Sequence, residues 1–207
     1  MVNGALVLAS SSPRRCELLS AAGFEAISIR PTVDDGSLMV RAARAAEDCC
    51  ALAWFKGAQV ADDSAQLLRC APRARVVLAA DTVCVLDGVV LGKPSDVDEA
   101  RRMLTASRNR TQRVVTGVCI IILPDRTRTM FADMVEVRFG EISDAQLESH
   151  LASDSWRGRA GGYNLAEIVA AGWSVKWAGD QTTVVGLPMN LLKPILTRMV
   201  GCRVPTS

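Results

Sequence analysis

The sequence has few of the features that would assign it to a specialised class of protein. Its 24 lysine and arginine residues are nearly balanced by 22 aspartate and glutamate residues, and the net charge of +2 is spread along the chain. Because nucleic-acid-binding proteins usually carry a basic face or stripe, this balance argues against a nucleic-acid partner. No run approaches the ~20 apolar residues that a membrane-spanning helix needs, and the first residues lack the basic start and long apolar core of a signal peptide. We therefore expect a soluble, cytoplasmic protein without a membrane partner.

Disulfide and zinc frameworks are also missing from the sequence. The seven cysteines are an odd number, show no ladder-like spacing and include no C-x-x-C pair. We therefore expect neither a disulfide scaffold nor a zinc site, and we expect most cysteines to be small buried side chains. The single histidine, His150, has no partner at a catalytic spacing, so we expect it to serve the structure or to lie on the surface.

Strand-like and helix-like segments alternate along the 207 residues, which predicts one α/β domain over residues 1–207 with a mixed sheet. Short β-branched or apolar runs indicate the strands. These runs lie at residues 5–9, 25–30, 75–86, 89–92, 113–123, 128–139, 173–179 and 182–186.

Helices are predicted where apolar residues recur at helical spacing. The pairs Ser95/Asp98 and Ser143/Gln146 have the spacing of capping boxes. Pro194 is expected in the first turn of a C-terminal helix, where proline is tolerated. The other predicted helices lie at residues 13–22, 38–61, 95–107 and 143–152. Irregular connections are predicted at residues 62–74 and 155–164.

The segment "SSSPRR" (10–15) places hydroxyl groups and two guanidinium groups where the first strand passes into the first helix. The N–H groups at a helix N-terminus point outward, and the helix dipole adds positive potential there. Arginine side chains match phosphate oxygens with two parallel hydrogen bonds. The segment therefore predicts an anion site, although a solvated first turn with surface arginines explains it equally well.

Lysine is scarce, since only Lys56, Lys93, Lys176 and Lys193 occur among the 24 basic residues. A lysine kept in such a sequence has reason to use a compact ammonium group. Lys56 lies on the apolar side of a predicted helix, where a buried charge needs an anionic partner unless its head group reaches water. Lys93 lies in the rigid turn "GKP", which suits either a ligand site or an ordinary loop.

Asp81 and Thr82 interrupt the apolar strand "VVLAADTVCVL", and this is the sharpest anomaly in the sequence. A carboxylate in a central strand is costly to bury unless a cation or a metal ion meets it. The alternative is a structural carboxylate that closes a helix cap or pairs with an arginine. Asp34 and Asp35 follow a strand, either as a turn pair or as oxygen ligands for Mg²⁺. Separated cations and acids together predict a site for a polyphosphate with its metal ion.

The segments that carry these features resemble the Maf family of nucleoside triphosphate pyrophosphatases. The order and spacing of the family's signatures are similar to those of "LVLASSSPRRCELL", "AADTVCVLDGVVLGKP", "GRAGGYNL" and "TVVGLPMNLL". The resemblance implies a single two-lobed domain around a curved mixed β-sheet with flanking helices, similar to the inosine-triphosphatase fold, with a nucleotide cleft between the lobes. It also implies a homodimer, and the Mg²⁺-assisted hydrolysis of a nucleoside triphosphate to the monophosphate and pyrophosphate.

The resemblance further implies roles for individual residues, with Asp81 or a neighbouring carboxylate activating the attacking water. It places substrate-binding residues at Ser10, Arg14, Arg15, Thr82 and Arg159. It places catalytic residues at Asp81, Lys56, Lys93 and Arg14. It places ligands for Mg²⁺ or another divalent cation at Asp81, Asp35 and Glu167.

The chain departs from the family pattern at several of these positions. Asp35 is one methylene shorter than the family's Glu, and Arg159 replaces a Lys. Ala166 stands where the family has Gln or Glu, so that either Glu167 takes over or the activity is altered. Two alternatives stay open: a non-catalytic nucleotide-binding regulator that kept the cleft, and a housecleaning pyrophosphatase of the inosine-triphosphate type.

Overall fold

The structure, a computed structural model, describes residues 6–32 and 39–200. Within these ranges, seven strands form one mixed sheet and eight α-helices accompany it. The strands are β1 (Leu6–Ala9), β2 (Ala26–Ile29), β3 (Val76–Leu86), β4 (Val89–Leu91), β5 (Thr111–Ile122), β6 (Thr127–Phe139) and β7 (Val175–Ala178). The helices are α1 (Pro13–Ala21), α2 (Ala45–Asp62), α3 (Ser64–Cys70), α4 (Val97–Ser107), α5 (Asp144–Ala152), α6 (Leu165–Ala170), α7 (Gln181–Val185) and α8 (Met189–Val200).

The strands follow the order β2-β1-β3-β5-β6-β7, and β4 pairs with β3 outside this path. β1 runs parallel to both β2 and β3. The pairs β3–β4, β3–β5, β5–β6 and β6–β7 are antiparallel. The predicted α/β fold with a mixed sheet and flanking helices is therefore confirmed.

Alternate residues of each strand face opposite sides of the sheet, because the side-chain period of a strand is two. On one side, odd-numbered residues of β3 such as Val77 and Ala79 pack against α2 and α3. On the other side, the even-numbered residues contribute to two separate apolar clusters. One cluster contains side chains of α1 and α8, and the other contains side chains of α4, α5 and α6.

The segment 182–186 was predicted to be a strand, and that prediction is wrong because it lies within and just after α7. Its β-branched residues favour a strand locally, but side-chain and backbone caps favour a helix. The Asp180 carboxylate accepts a hydrogen bond from the Thr182 N–H at 2.9 Å. Gly186, with φ of 125°, ends the helix in a conformation that suits glycine.

The segment before β3 also differs from its prediction. Residues 62–74 were expected to be irregular, yet they contain α3, which Asp63 caps by accepting a hydrogen bond from the Gln66 N–H at 2.9 Å. The helix predicted over 38–61 begins only at Ala45, after a 3₁₀ turn, and residue 38 lies outside the described residues.

Of the two capping boxes that the spacing predicts, one is confirmed and the other is wrong. Ser143 and Gln146 cap α5 reciprocally, as expected. In α4 the cap is Asp96, whose carboxylate accepts a hydrogen bond from the Glu99 N–H at 2.7 Å. Ser95 instead donates its backbone N–H to the Glu99 carboxylate at 2.7 Å, so the cap lies one residue later than predicted.

The prediction that Pro194 lies in the first turn of its helix is also wrong. α8 begins earlier than the apolar pattern indicates, because side chains of the preceding segment satisfy its first N–H groups. Met189 donates its N–H to Thr182 Oγ1 at 2.9 Å, and Asn190 donates its N–H to Asp180 Oδ2 at 2.8 Å. Pro194 therefore lies inside the helix. Across the described ranges, each helix is too short or too polar to cross a bilayer.

Candidate active site

The candidate site surrounds a gap along one edge of β3, which we call the edge gap and define as residues 79–83. β1 pairs with this edge up to Leu78, and β4 pairs with the same edge from Cys84 onward, because β5 occupies the opposite edge. β1 and β4 point toward each other, so the loops that follow them meet at the gap. Asp81 and Thr82 lie in its middle. The topology therefore brings "SSSPRR" and "GKP" to the same place.

Asp81 faces the α2 side of the sheet, where Lys56 contacts it. The Lys56 ammonium donates a hydrogen bond to Asp81 Oδ1 at 2.5 Å, and the two side chains are 9% and 12% exposed. The anionic partner that a buried Lys56 requires is thereby confirmed. Among the described residues, Lys56 is the one whose hydrogen bond reaches this carboxylate, and it leaves Asp81 Oδ2 for a ligand.

The close approach of α2 to the sheet depends on a glycine in β5. Gly117 lies opposite Asp81 in the β3–β5 ladder. A Cβ atom at Gly117 would lie 2.4 Å from backbone atoms of both Cys49 and Cys50 in α2. Because only glycine leaves room for the helix backbone, this residue sets the height of α2 above Asp81 and so the reach of Lys56.

Thr82 faces the other side of the sheet, where Arg15 contacts it. Arg15 donates hydrogen bonds from Nη2 to Thr82 Oγ1 at 3.2 Å and from Nη1 to Ser10 Oγ at 3.2 Å. It also donates from Nε to the carbonyl oxygen of Gly186 at 2.9 Å. Arg15 therefore joins the loop after β1, the middle of β3 and the end of α7.

Arg14 belongs to a second cationic group beside the first turn of α1. Burial lowers the pKa of its guanidinium, and the neighbouring charge of Arg159 lowers that pKa further, against the opposing effect of Glu167. Arg159 donates two hydrogen bonds to Glu167, of which the one from Nη2 to Oε1 is 2.8 Å long. These hydrogen bonds lower the pKa of the Glu167 carboxyl. Two adjacent guanidinium groups create a positive potential that suits an anionic ligand.

Lys93 follows β4 at the other end of the edge gap. The Gly161 N–H donates to the carbonyl oxygen of Gly92 at 3.0 Å, which ties this turn to the segment after Arg159. Lys93 is exposed, and within residues 6–32 and 39–200 it takes part in no hydrogen bond or ion pair. Its ammonium is therefore available to a ligand at the gap.

The donor set for a metal ion is small. Asp35 lies outside the described residues, and in the described ranges no group of three or more His, Cys, Asp and Glu side chains could hold a metal ion. Arg159 engages both carboxylate oxygens of Glu167, which favours a role for Glu167 in holding Arg159. Among the described residues, Asp81 Oδ2 is left as an oxygen of the type that magnesium binds, and magnesium bound to substrate phosphates commonly needs only one or two carboxylates.

The described site residues thus fall into three groups around the edge gap. Direct contacts join Lys56 to Asp81. Hydrogen bonds join Ser10, Arg15 and Thr82. Electrostatic contacts join Arg14, Arg159 and Glu167, while Lys93 flanks the gap.

Two residues that help to position Arg15, directly or through Thr82, were not predicted from the sequence. Thr116 of β5 shares a hydrogen bond of 2.8 Å with Thr82, and Gly186 supplies the carbonyl that Arg15 Nε contacts. A signal for Thr116 exists, because it is a polar residue inside the apolar run "RVVTGVCIIIL", as Asp81 is in β3. The role of Gly186 depends on α7, which the sequence pattern did not indicate.

His150 has the structural role that its isolation in the sequence predicts. Its Nε2 donates to the carbonyl oxygen of Gly162 at 2.9 Å, and its ring makes an edge contact with Trp173. The contact supports the segment that follows Arg159.

Comparison with known proteins gives a consistent result. A family model described as "Maf-like protein" matches residues 5–199. A dTTP/UTP pyrophosphatase of Rhizobium meliloti (strain 1021) is 39% identical over 192 residues, covering 89% of this chain and 87% of the relative. The dTTP/UTP pyrophosphatase of Nitrobacter winogradskyi is 36% identical over 190 residues with the same coverage. That of Rhodopseudomonas palustris (strain HaA2) is 38% identical over 189 residues, covering 89% of this chain and 86% of the relative.

Proposed function

The chain belongs to the Maf family and is a nucleoside triphosphate pyrophosphatase, and we propose that it acts on dTTP and UTP at the edge gap of β3. The proposed substrates are those named for relatives at 36–39% identity. The family match separates the chain from pyrophosphatases of the inosine-triphosphate type. The relatives are enzymes, which favours turnover over a purely regulatory binding role.

The observation that carries the proposed mechanism is the pair of Lys56 and Asp81 in the middle of the edge gap. Lys56 holds one carboxylate oxygen, Oδ1, and we propose that the other oxygen faces a ligand in the gap. We propose that Asp81 accepts a proton from a water molecule as the water oxygen attacks the α-phosphorus. The bond from the α-phosphorus to the bridging oxygen breaks, and pyrophosphate leaves with the bonding electrons.

The separated cations serve the triphosphate in this mechanism. Arg14 and Lys93, at opposite ends of the gap, neutralise the negative charge that grows on the leaving pyrophosphate. Ser10, Arg15 and Arg159 form the surface against which the phosphates bind, and Thr82 contributes to it by accepting a hydrogen bond from Arg15. Because these groups are held by the fold before the substrate arrives, they need little reorganisation during the reaction.

We propose Mg²⁺ or another divalent cation as the cofactor, with Asp81 and Asp35 as its protein ligands. When bound with the triphosphate, such a cation supplies further neutralisation of phosphate charge. Asp81 Oδ2 fits this role because, among the described residues, the hydrogen bond to this carboxylate goes from Lys56 to Oδ1. Phosphate oxygens and water would complete an oxygen-rich coordination shell of the kind that magnesium prefers.

A substrate panel tests the proposed function. Purified protein with Mg²⁺ is expected to release pyrophosphate from dTTP and UTP at least about tenfold faster than from dATP, dGTP or ITP. Excess EDTA should abolish the release and added Mg²⁺ should restore it, since the cation neutralises the phosphates. Release at equal rates from all five nucleotides would contradict the proposed specificity, and full activity in EDTA would contradict the proposed cofactor.

Glu167→Gln distinguishes the two roles considered for Glu167. We expect the Mg²⁺ concentration for half-maximal activity to stay within about twofold of the wild type, because Arg159 occupies both carboxylate oxygens. The KM for dTTP should rise about threefold to tenfold as Arg159 loses a charged partner. A large rise in the Mg²⁺ requirement would instead make Glu167 a metal ligand, as the resemblance implied.

We also propose a homodimer and a cytoplasmic location. Exposed apolar side chains on the α2 side of the sheet, Trp54, Met130 and Met134, support a contact with a second copy. The six described cysteines are free, as is usual for proteins of a reducing compartment. Sedimentation of the purified protein at micromolar concentration distinguishes dimer from monomer.

A further inference from the structure

A hydrogen-bonded row of polar groups, which includes the backbone carbonyl of Thr183, lies on the side of the sheet opposite α2. It begins at Arg15, continues through Thr82 and Thr116, and ends at Thr183 and Asp133. Thr116 and Thr183 are completely buried. Buried hydroxyl groups are costly unless each one is hydrogen-bonded, and here each of them has a partner in the row.

The hydrogen bonds of this row run in one direction. Thr116 donates its only hydroxyl proton to the carbonyl oxygen of Thr183 at 2.7 Å, because a carbonyl oxygen accepts only. In the 2.8 Å contact between Thr82 and Thr116, Thr82 must therefore be the donor. Thr82 in turn accepts from Arg15 Nη2 at 3.2 Å. Its single hydroxyl proton is thus directed away from the edge gap, so Thr82 orients Arg15 and does not donate to a phosphate.

Asp133 holds the far end of the row through α7. Thr183 Oγ1 donates to Asp133 Oδ2 at 2.5 Å, which fixes α7 against β6. The carbonyl oxygen of Gly186, at the end of the same short helix, accepts from Arg15 Nε at 2.9 Å. α7 is therefore held between Asp133 on one side and Arg15 on the other.

We propose that Asp133 and Thr183 are positioning residues that fix the Arg15 guanidinium for the triphosphate. By holding α7, they fix the carbonyl of Gly186 and, through Thr116, the hydroxyl of Thr82. Two acceptors then set the plane of the Arg15 side chain. The effect of Asp133 is exerted through Arg15, two strands away from Asp81. The expected change in KM for dTTP rests on the proposed function.

The test uses Thr183→Val, which removes the hydroxyl and keeps the shape and the backbone carbonyl. Arg15 is expected to bind the triphosphate in the ground state and in the transition state alike, so its misplacement raises KM more than it lowers kcat. We expect the KM for dTTP to rise about tenfold with kcat within about threefold of the wild type, as for the loss of one buried charge-assisted contact. Thr197→Val, which removes an exposed hydroxyl bound within α8, is the matched control and should change neither constant.

A second comparison shows whether the row acts through Arg15. In an Arg15→Lys background, Thr183→Val should no longer change KM, because the fork that the row positions is gone. An equal rise in KM in both backgrounds would overturn the proposal. If Thr183→Val fails to fold, Asp133→Leu removes the same hydrogen bond from a half-buried strand position and is used in its place.

Calorimetric titration with inorganic triphosphate separates this proposal from the proposed function. The positioning role predicts that Thr183→Val weakens binding about tenfold and that Thr197→Val leaves it unchanged, whether or not the wild type hydrolyses dTTP. Unchanged binding in Thr183→Val would overturn the positioning role alone. A wild type that binds triphosphate and releases no pyrophosphate would overturn the proposed function and leave the positioning role standing.

Discussion

Asp81→Asn is expected to reduce pyrophosphate release by at least about a thousandfold. The asparagine keeps the shape of the side chain but cannot accept a proton from water, and general-base catalysis typically contributes ~10²–10⁴ to a rate. The substitution also removes the negative charge that stabilises the Lys56 ammonium in a position only 9% exposed. Steady-state release of pyrophosphate from dTTP measures the first effect, and thermal melting measures the second.

A double variant separates the chemical effect of Asp81→Asn from its effect on stability. Removing one partner of a buried ion pair typically costs about 3–5 kcal/mol, whereas replacing both partners can be nearly neutral. Asp81→Asn with Lys56→Met should therefore melt close to the wild type and stay inactive. A double variant with more than about a tenth of the wild-type rate would show that neither residue takes part in the chemistry.

Gly117→Ala is expected to destabilise the protein by at least about 3 kcal/mol, above the usual cost of overpacking. The added Cβ atom would lie 2.4 Å from the backbone of Cys49 and Cys50, and a helix backbone cannot yield as a flexible side chain can. For a chain of this size the loss corresponds to a fall in Tm of roughly 6–12 °C. Because α2 must lift from β5, Lys56 should also separate from Asp81, and folded material should lose activity.

Gly92→Ala is the matched control for stability. No atom lies within 4 Å of the position that its Cβ would occupy. We expect its Tm to change by no more than about 2 °C, as for an unstrained surface substitution. Equal melting temperatures for Gly117→Ala and wild type would show that α2 has room to move, and that the glycine does not set the reach of Lys56.

The centre of the site could be predicted from the sequence because two anomalies are local. Asp81 is an acid inside an apolar strand, and Lys56 is a rare lysine on the apolar side of a helix. Each is too costly to bury alone, so physical chemistry alone predicts that each has a partner. Their contact is the simplest way to satisfy both.

The environment of Arg15 could not be predicted in the same way. One partner of Arg15, the carbonyl oxygen of Gly186, lies at the end of α7, 171 residues further along the chain. The β-branched residues of that segment favour a strand, and the helix forms because Asp180 caps its start and Gly186 ends it. Capping and tertiary contacts thus outweigh the strand propensity of this segment. The hydrogen-bonded row that includes Thr183 could therefore not be predicted from the sequence.

The metal-ligand role of Glu167 stays a prediction, but the structure adds a contact of Glu167 that its sequence position could not show. Its place beside Ala166 predicted a replacement ligand for a metal ion. The structure places Asn164 at the cap of α6. It directs the Glu167 carboxylate to Arg159, whose Nη2 donates a hydrogen bond to Glu167 Oε1 at 2.8 Å. Arg159 forms charge-assisted hydrogen bonds with this carboxylate, and Arg14 lies close enough to feel its charge. Only the three-dimensional structure reveals that both arginines are near Glu167.

The most direct test of the account is a crystal structure with Mg²⁺ and a non-hydrolysable analogue of dUTP. We expect the triphosphate in the edge gap, with the α-phosphorus closest to Asp81 and the terminal phosphates between Arg14 and Lys93. A nucleotide bound elsewhere would contradict the account, for example in the shallow pocket of about 260 Å³ beside Trp54 and Arg128, with the edge gap left to solvent.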